Sequence, residues 1–366
     1  MLPSAVDLNT KHVERDIQRF IHKHALIPPL WEKIIAHYIK MTWVYDCFNA
    51  LPYLRFMGEP ETGKSRLLQI CIALSYKAMP TAGNVTGPVL FRTIDEGQGT
   101  LIVDECDLDF SDATSDIVKV FTQGYMKGFP VRRCAPETHV VECHKVYGPK
   151  IIACRMPFKD RAMDTRCLTY CTVARDLPTE MLNLSPEFSK EAEALRNRLL
   201  GWRLQNYSNV RADASGLRNL ISPRLAQISS AILGVTEDAE FRERFIAFLE
   251  NYGRESRADS PQAFVVQALM RLFPIQPNPQ SIPVASVTGQ VNIVCAENGC
   301  PEMTAERVGS LLGSLGLKKH RIHGGTRCIA LTERILDCLR KKYPQGDSTV
   351  TAGDSGDSEL AVEGDG

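Results

Sequence analysis

Apolar residues recur every three to four positions over two early stretches, Val13/Ile17/Phe20/Ile21 and Leu30/Ile34/Ile35/Tyr38/Ile39, and Pro28-Pro29 separates them. That spacing puts the apolar side chains on one helical face, so residues 1–48 are expected to be a helical entry segment. The pattern then changes. Residues 53–57, 100–103, 151–154 and 167–173 are short, dense apolar runs of the kind expected for strands buried on both faces, with helical stretches such as 66–74 between them. Residues 49–178 therefore read as an α/β core with a parallel sheet and crossover helices. From about 186 to 272 the pattern is helical throughout, with amphipathic runs at 191–204, 225–233 and 241–249, and residues 179–273 are expected to form a helical lid. The proline-rich stretch 274–283 has the composition of a linker. Residues 284–345 are expected to form a last compact unit.

The chain has 366 residues, 44% hydrophobic and 23% charged, which suits two or three domains with a sizeable core. No stretch approaches the ~18 to 20 uninterrupted apolar residues of a membrane span. The first residues lack the charged-then-apolar pattern of a signal peptide, so a cytoplasmic protein with no membrane partner is expected. The twelve cysteines are then expected to stay reduced and to serve as small core residues. The 43 basic and 43 acidic residues balance only because residues 346–366 carry six acidic side chains and no basic one, leaving residues 1–345 at +6. That small, polar, acidic tail is expected to be disordered.

Candidate chemistry begins where the 53–57 strand ends. Gly58-Glu59-Pro60-Glu61-Thr62-Gly63-Lys64-Ser65 fits G-x-x-x-x-G-K-[ST], and Arg66 follows at the start of the next helix. Backbone N–H groups of such a loop cradle phosphates, with Lys64 reaching the terminal oxygens and the Ser65 hydroxyl on Mg²⁺. A second run, Thr100-Leu101-Ile102-Val103-Asp104-Glu105, ends an apolar strand in adjacent carboxylates. Asp104 is expected to help hold Mg²⁺ and Glu105 to polarise the attacking water, which makes ATP and Mg²⁺ the expected substrate and cofactor. A solvated acidic turn after a core strand is the alternative for the carboxylates.

Further along, "Gly148-Pro-Lys-Ile-Ile-Ala153" and "Asp160-Arg-Ala-Met-Asp-Thr-Arg-Cys167", read with the two nucleotide motifs, resemble AAA+ ATPases encoded by phages, plasmids and mobile elements beside primases. The resemblance covers roughly residues 35–235 and implies a P-loop AAA+ core with a parallel sheet, a helical lid and a C-terminal winged-helix domain. It implies a homo-oligomeric ring, with a hexamer favoured. Arg166 matches the position of an arginine finger that completes a neighbouring subunit's site, with Arg161 as the other choice; either could be a surface salt bridge. Arg155 matches the sensor-one position, commonly Asn or Thr in such proteins, and the departure leaves its role open. Arg224, opening a helix after Ser222-Pro223, matches a sensor-two arginine at the ATP.

Two basic regions are candidate DNA contacts. Residues 131–145 can form a hairpin carrying Arg132, Arg133 and Lys145, with Lys127 nearby, and helicases of this broad type place a DNA-gripping hairpin there; a sheet edge with ordinary charges is the alternative. The final unit resembles a winged helix, with a capped helix over 304–316 and a basic hairpin bearing Lys318, Lys319, Arg321 and Arg327. Winged helices also dock proteins. Cys295, Cys300, His320 and His323 do not fit a familiar zinc spacing. The expected function is an ATP-driven DNA motor, a replicative-type helicase of a mobile element acting on single-stranded or forked DNA, with primase or other replication proteins as partners. The rival expectations are a loader or regulatory ATPase that does not unwind, and a P-loop kinase, for which no acceptor-binding signature is seen.

Overall fold

The computed structural model describes residues 3–343 except 84, 108–111, 135–139, 159, 176–177, 218–220, 259, 274–280 and 323–324. The acidic tail, most of the proline-rich linker and the tips of both basic hairpins lie outside the described residues. The backbone divides into two compact units, residues 1–250 and 251–366.

The first unit begins with helices α1 (Val13–His24) and α2 (Pro29–Thr42), followed by β1 (Tyr53–Met57), α3 (Lys64–Leu74), β2 (Met79–Ala82), α4 (Gly87–Gly97) and β3 (Leu101–Asp104). It continues with α5 (Asp112–Gln123), β4 (Val131–Cys134), β5 (Val141–His144), β6 (Lys150–Cys154), α6 (Arg161–Asp164) and β7 (Cys167–Cys171). Helices α7 (Phe188–Asn206), α8 (Pro223–Leu233) and α9 (Ala239–Ala258) follow, α9 running past residue 250. The result is a mixed α/β architecture with the five-stranded parallel sheet of a P-loop type core, ordered β2-β3-β6-β1-β7. Strand β1 is central to the site: Leu54 pairs with Ile151 on one side and with Leu168 on the other. Because β6 lies between β1 and β3, the loops after β1 and β3 emerge at the same carboxyl edge with a gap between them.

Local sequence explains the main boundaries. The dense apolar runs become strands because both sheet faces are covered, so β1, β3 and β6 are buried almost throughout. Pro29 and Pro223 stand at the first helical position, where the missing N–H costs nothing, and the Ser222 hydroxyl accepts from Leu225 N to cap α8. Strands β4 and β5 form the expected antiparallel hairpin, Arg132 opposite Cys143 and Arg133 opposite Glu142.

The N-terminal helices are more than an entry segment. Ile34, Ile35, Ala36, Tyr38, Ile39 and Met41 of α2 are fully buried. The Tyr38 hydroxyl lies 2.9 Å from the Lys150 carbonyl, and Trp43 Nε1 donates to the Leu74 carbonyl at 2.9 Å, tying α2 to the sheet and to α3. A buried ion pair joins the two helices, Lys40 Nζ to Glu14 Oε2 at 3.0 Å. Burial raises the Glu14 carboxyl, but Lys40, a backbone hydrogen bond and His37 together outweigh it and hold the group below its ordinary value.

The described part of the second unit contains α10 (Pro261–Leu272), β8 (Ile282–Pro283), α11 (Val284–Glu297), α12 (Ala305–Ser314), β9 (Lys319–Arg321), β10 (Arg327–Ile329) and α13 (Glu333–Lys342). Its sheet runs β8-β10-β9, both pairings antiparallel. Sequence composition puts a break at 274–283, yet α10 packs with α11, since Val265, Ala268 and Leu269 share one apolar cluster with Val287, Val291 and Leu312. The proline-rich stretch therefore joins two pieces of one core. Among the described residues no helix is long and apolar enough to cross a membrane.

His37 makes the core of the first unit sensitive to acid. Its ring stacks on Phe241 with centroids 3.9 Å apart, Nδ1 lies 2.8 Å from the Lys33 carbonyl, and the buried Nε2 has no partner. Burial, with Lys40 adding repulsion, pushes the imidazole from its ordinary 6.5 down to about 4, against the Lys33 carbonyl, Glu14 and Asp238. Between those values the unfolded chain binds a proton that the folded chain refuses, so stability falls as pH drops. Urea unfolding followed from neutral pH to about pH 4 should show up to about 3 kcal/mol of this loss in the parent protein and a shallower decline in His37→Phe. Parallel declines would remove His37 as the cause.

Candidate active site

The loop after β1 is shaped by close approach to β7. A β-carbon on Gly58 would lie 2.4 Å from Thr172 Oγ1 and 2.6 Å from Thr172 O, so only glycine fits there. Thr172 N donates to Met57 O at 2.7 Å, and its hydroxyl meets Thr62 Oγ1 at 2.6 Å, while Thr62 donates onward to Glu59 O at 2.7 Å. Glu61 and Gly63 take left-handed backbone angles, φ 65° and 88°, which curl the loop before α3 begins at Lys64. Lys64 Nζ folds back onto that loop, donating to Gly58 O at 2.6 Å and Glu59 O at 2.5 Å. An ammonium held only by neutral carbonyls on a half-exposed loop is well placed to be drawn onto an anion.

A cleft of about 400 Å³ brings Lys64 and Ser65 together with Asp104, Glu105, Asp107 and Arg155, and Pro60, Glu61, Gly63 and Arg66 also line it. The two sequence motifs thus meet at the carboxyl edge of the sheet. Asp104 ends β3, and its Oδ1 accepts from Glu105 N at 2.9 Å. Glu105 has φ 52°, a conformation costly for a residue with a side chain. Ser65 and Asp104 also line an adjoining groove, so a hydroxyl and a carboxylate face common space. Oxygen donors of this kind suit Mg²⁺, and the described residues contain no group of three or more His, Cys, Asp or Glu able to hold a metal alone. A cation at Ser65 and Asp104 would need further oxygens from phosphate and water.

Several site features were not read from the sequence. Asp107 accepts from Arg155 N at 2.8 Å and pairs with Arg155 Nε at 3.3 Å, which fixes the arginine at the rim of the cleft. The acidic run Asp104-Glu105-Cys106-Asp107 was its only sequence signal. Gly83 is less legible still: a β-carbon there would lie 2.0 Å from Glu105 O, so the chain after β2 presses directly on the Glu105 backbone. On the other flank of the loop, a small pocket of about 70 Å³ joins Glu61–Gly63 to Ile27, Tyr170, Val173 and Met181. Val173 is 55% exposed there, an apolar surface beside a phosphate loop.

Other expected site residues stand elsewhere. Arg66 lines the cleft, but its guanidinium donates to the carbonyls of Leu182 and His24, at 3.1 and 3.4 Å. Arg166 immediately precedes β7 and so lies at the amino edge of the sheet, the end opposite Lys64, because Tyr53 pairs with Cys167 and Met57 with Cys171. Its guanidinium donates to Ala162 O and sits 4.6 Å from the Tyr125 ring centroid. Arg224, expected at the ATP, is not at the cleft of its own chain: it donates to the Tyr125 hydroxyl and lies 4.6 Å from the same ring. The start of α8 puts it there. Arg161 opens α6; its side chain is outside the described residues.

Of the basic candidates, Arg132, Arg133 and Lys145 belong to the β4–β5 hairpin, Arg132 exposed and Arg133 stacked 5.4 Å from the Phe91 ring centroid. Lys127 does not join them. It donates to Asp46 O and lies over Tyr147, so its ammonium is engaged in holding the turn after α5. Lys318, Lys319, Arg321 and Arg327 are all exposed in the second unit, with Arg321 directly opposite Arg327.

No protein-family model matches the chain, and no curated protein matches it. Solved structures similar to it include "The A form apo structure of NrS-1 C terminal region-CTR", at 11% identity and TM-score 0.43, covering 90% of this chain and 77% of that one. Another, "SCCmec type IV Cch - active helicase", is 12% identical with TM-score 0.45 and covers 92% and 73%. Both likenesses are distant.

The pressure of Gly83 on Glu105 gives a test of the site that leaves its functional groups intact. Gly83→Ala should displace the Glu105 backbone and slow ATP turnover on the order of 10²-fold, the cost of roughly 1 Å of misplacement. Fluorescent-nucleotide binding should hardly change, since the phosphate loop is untouched. Unaltered turnover would mean that the position of Glu105 does not govern the reaction.

Proposed function

We propose that this protein is an ATP-hydrolysing, ring-forming DNA motor, a replicative-type helicase of the kind found beside primases in mobile elements. The observation that carries the reading is the cleft where Lys64, Ser65, Asp104 and Glu105 meet at the carboxyl edge of a parallel sheet. Lys64 exchanges the carbonyls of Gly58 and Glu59 for the terminal phosphate oxygens. Ser65 and Asp104 would hold Mg²⁺, which would supply charge neutralisation at the phosphates. Glu105 orients a water and takes its proton as the water oxygen bonds to the γ-phosphorus and the bond to the ADP oxygen breaks. The apolar pocket at Ile27, Tyr170 and Val173 receives the base. Arg155, anchored by Asp107, stands at the rim to sense the γ-phosphate.

Arg166 lies at the amino edge, separated from its own phosphate loop by the length of β1, about 13 Å at 3.3 Å per residue. It can complete a nucleotide site only in a head-to-tail assembly, where one copy's amino edge meets the next copy's cleft; such an interface makes a ring when the rotation between copies closes. The β4–β5 hairpin and the second unit, which we read as a winged helix, supply basic groups for phosphates of single-stranded or forked DNA.

Lys64→Ala should lose ATP binding, whereas Glu105→Gln should bind ATP and turn it over about 10²- to 10⁴-fold more slowly, the usual worth of a general base. Nucleotide binding and phosphate release measured on both variants separate the roles; equal turnover by Glu105→Gln and the parent would remove Glu105 from the mechanism. ATP-dependent separation of a forked duplex identifies a helicase. ATP hydrolysis without strand separation would favour a loader.

The exposed hairpin of the second unit makes a separate prediction. Replacing Lys319, Arg321 and Arg327 together by Ala should weaken DNA binding and flatten the slope of log affinity against log salt by about 2, at ~0.7 per lost phosphate contact. Basal ATP turnover should be preserved. An unchanged slope would assign this face to protein docking.

A further inference from the structure

The Glu59 carbonyl of the phosphate loop accepts two hydrogen bonds, from Lys64 Nζ at 2.5 Å and from Thr62 Oγ1 at 2.7 Å. The peptide it belongs to leads into Pro60 and has no N–H, so this oxygen is its one hydrogen-bonding group. Thr62 is held in turn by Thr172, whose Oγ1 lies 2.6 Å from its own. A hydroxyl carries one hydrogen. Thr62 gives its hydrogen to Glu59 O, so between the two hydroxyls Thr172 is the donor. The other acceptor within reach of Thr172 Oγ1, Met57 O, is farther off at 3.2 Å and already takes the bond from Thr172 N. The donors therefore run in one direction, from Thr172 to Thr62 to Glu59 O, and each bond polarises the next. Thr172 is a firm origin for this relay. It is buried, it directly follows β7, whose Cys171 pairs with Met57, and it meets Gly58 too closely for a β-carbon to fit between them.

We propose that Thr172 is a positioning residue for the phosphate loop, and that through Thr62 it keeps the Glu59 carbonyl in place when Lys64 transfers to the nucleotide. The inference rests on the reading of the Lys64 cleft as a nucleotide site. The two donors to Glu59 O differ in what the nucleotide does to them. In the empty loop Lys64 and Thr62 share the carbonyl, so loss of the relay leaves one donor in place. In the loaded loop Lys64 is on phosphate and the relay is the donor that remains. Without it the carbonyl must turn or take up water, and the nucleotide then binds a loop that is no longer preorganised.

Fluorescent-ATP binding, steady-state ATP turnover and nucleotide-free urea unfolding of the full-length protein test this. Thr62→Val and Thr172→Val, which keep the side-chain shape and remove the hydroxyl, should each weaken ATP binding about 3- to 10-fold, the range for one net hydrogen bond. KM should rise in step and kcat should change less, because the loop grips substrate and transition state alike. The double variant should bind no more weakly than the weaker single variant, since either change already interrupts the relay. Thr172→Ser, which restores the hydroxyl, should bind as the parent does. The unfolding midpoint of nucleotide-free Thr62→Val should match the parent's, because Lys64 still holds the carbonyl in the empty loop. Parent-like affinity in Thr172→Val would overturn the inference, as would losses that add in the double variant or a Thr172→Ser variant as weak as Thr172→Val. A fall in the nucleotide-free midpoint as large as the loss of affinity would make the role purely structural and overturn it too. If Thr172→Val does not fold, Thr62→Val decides, and parent-like binding there is the contrary result. Lys64→Ala checks the premise: ATP binding that survives it would be failure of the cleft reading itself, and of the inference with it.

Discussion

The parallel pairing of β1 between β6 and β7 is the constraint on which the remaining structure depends. It presses the chain at Gly58 against Thr172 with no room for a side chain, and so fixes where the phosphate loop leaves the sheet. The same register sets Cys154 of β6 beside Met57, which puts Arg155 at the rim, and holds β3 one strand farther away so that Asp104 and Glu105 face the loop across a gap. Helices α2 and α7 brace this arrangement from outside, through Tyr38 on the Lys150 carbonyl and Arg196 on the Ala73 carbonyl at the end of α3. Lys150 itself is fully buried, its ammonium donating to the carbonyls of Gly124, Val146 and Gly148. That contact links β6 to the turn that carries Tyr125.

A sheet with parallel strands has two unlike edges, and this chain uses them differently. Carboxylates and the phosphate loop occupy the carboxyl edge, while cations without counter-charges gather at the amino edge. In one copy the two cannot meet. On the proposed reading this separation is a reason to assemble before hydrolysis, because an arginine supplied by a neighbouring copy would stabilise the charge developing on the transferred phosphoryl group. Proximity of copies would then control turnover without any change inside the cleft.

Elements with a strong period or a short-range motif were legible in the sequence. The phosphate loop, the acidic strand end, the hairpin at 131–145 and the Thr304-capped α12 all follow from local chemistry, and each forms within a residue or two of its expected bounds. What the sequence withheld is tertiary. Nothing local says that α2 is buried on nearly every side, since an amphipathic pattern gives one face and not the second face covered by a later helix. Gly83 looks like an ordinary turn glycine until Glu105 is found against it. Arg224 was expected at the ATP because the helix start matched a familiar position, but the direction of α8 carries it to Tyr125. The proline-rich stretch suggested a boundary by composition, while the apolar faces of α10 and α11 make one core across it.

The central proposal is that one chain's ATP is completed by another chain's Arg166, and dilution tests it most directly. Turnover per chain should be measured across protein concentrations spanning the assembly transition, with sedimentation recorded on the same samples. The account predicts that specific activity collapses as assemblies dissociate, while nucleotide binding to Lys64 persists in the separated chains. Specific activity that stays constant into the range where only single chains sediment would contradict it.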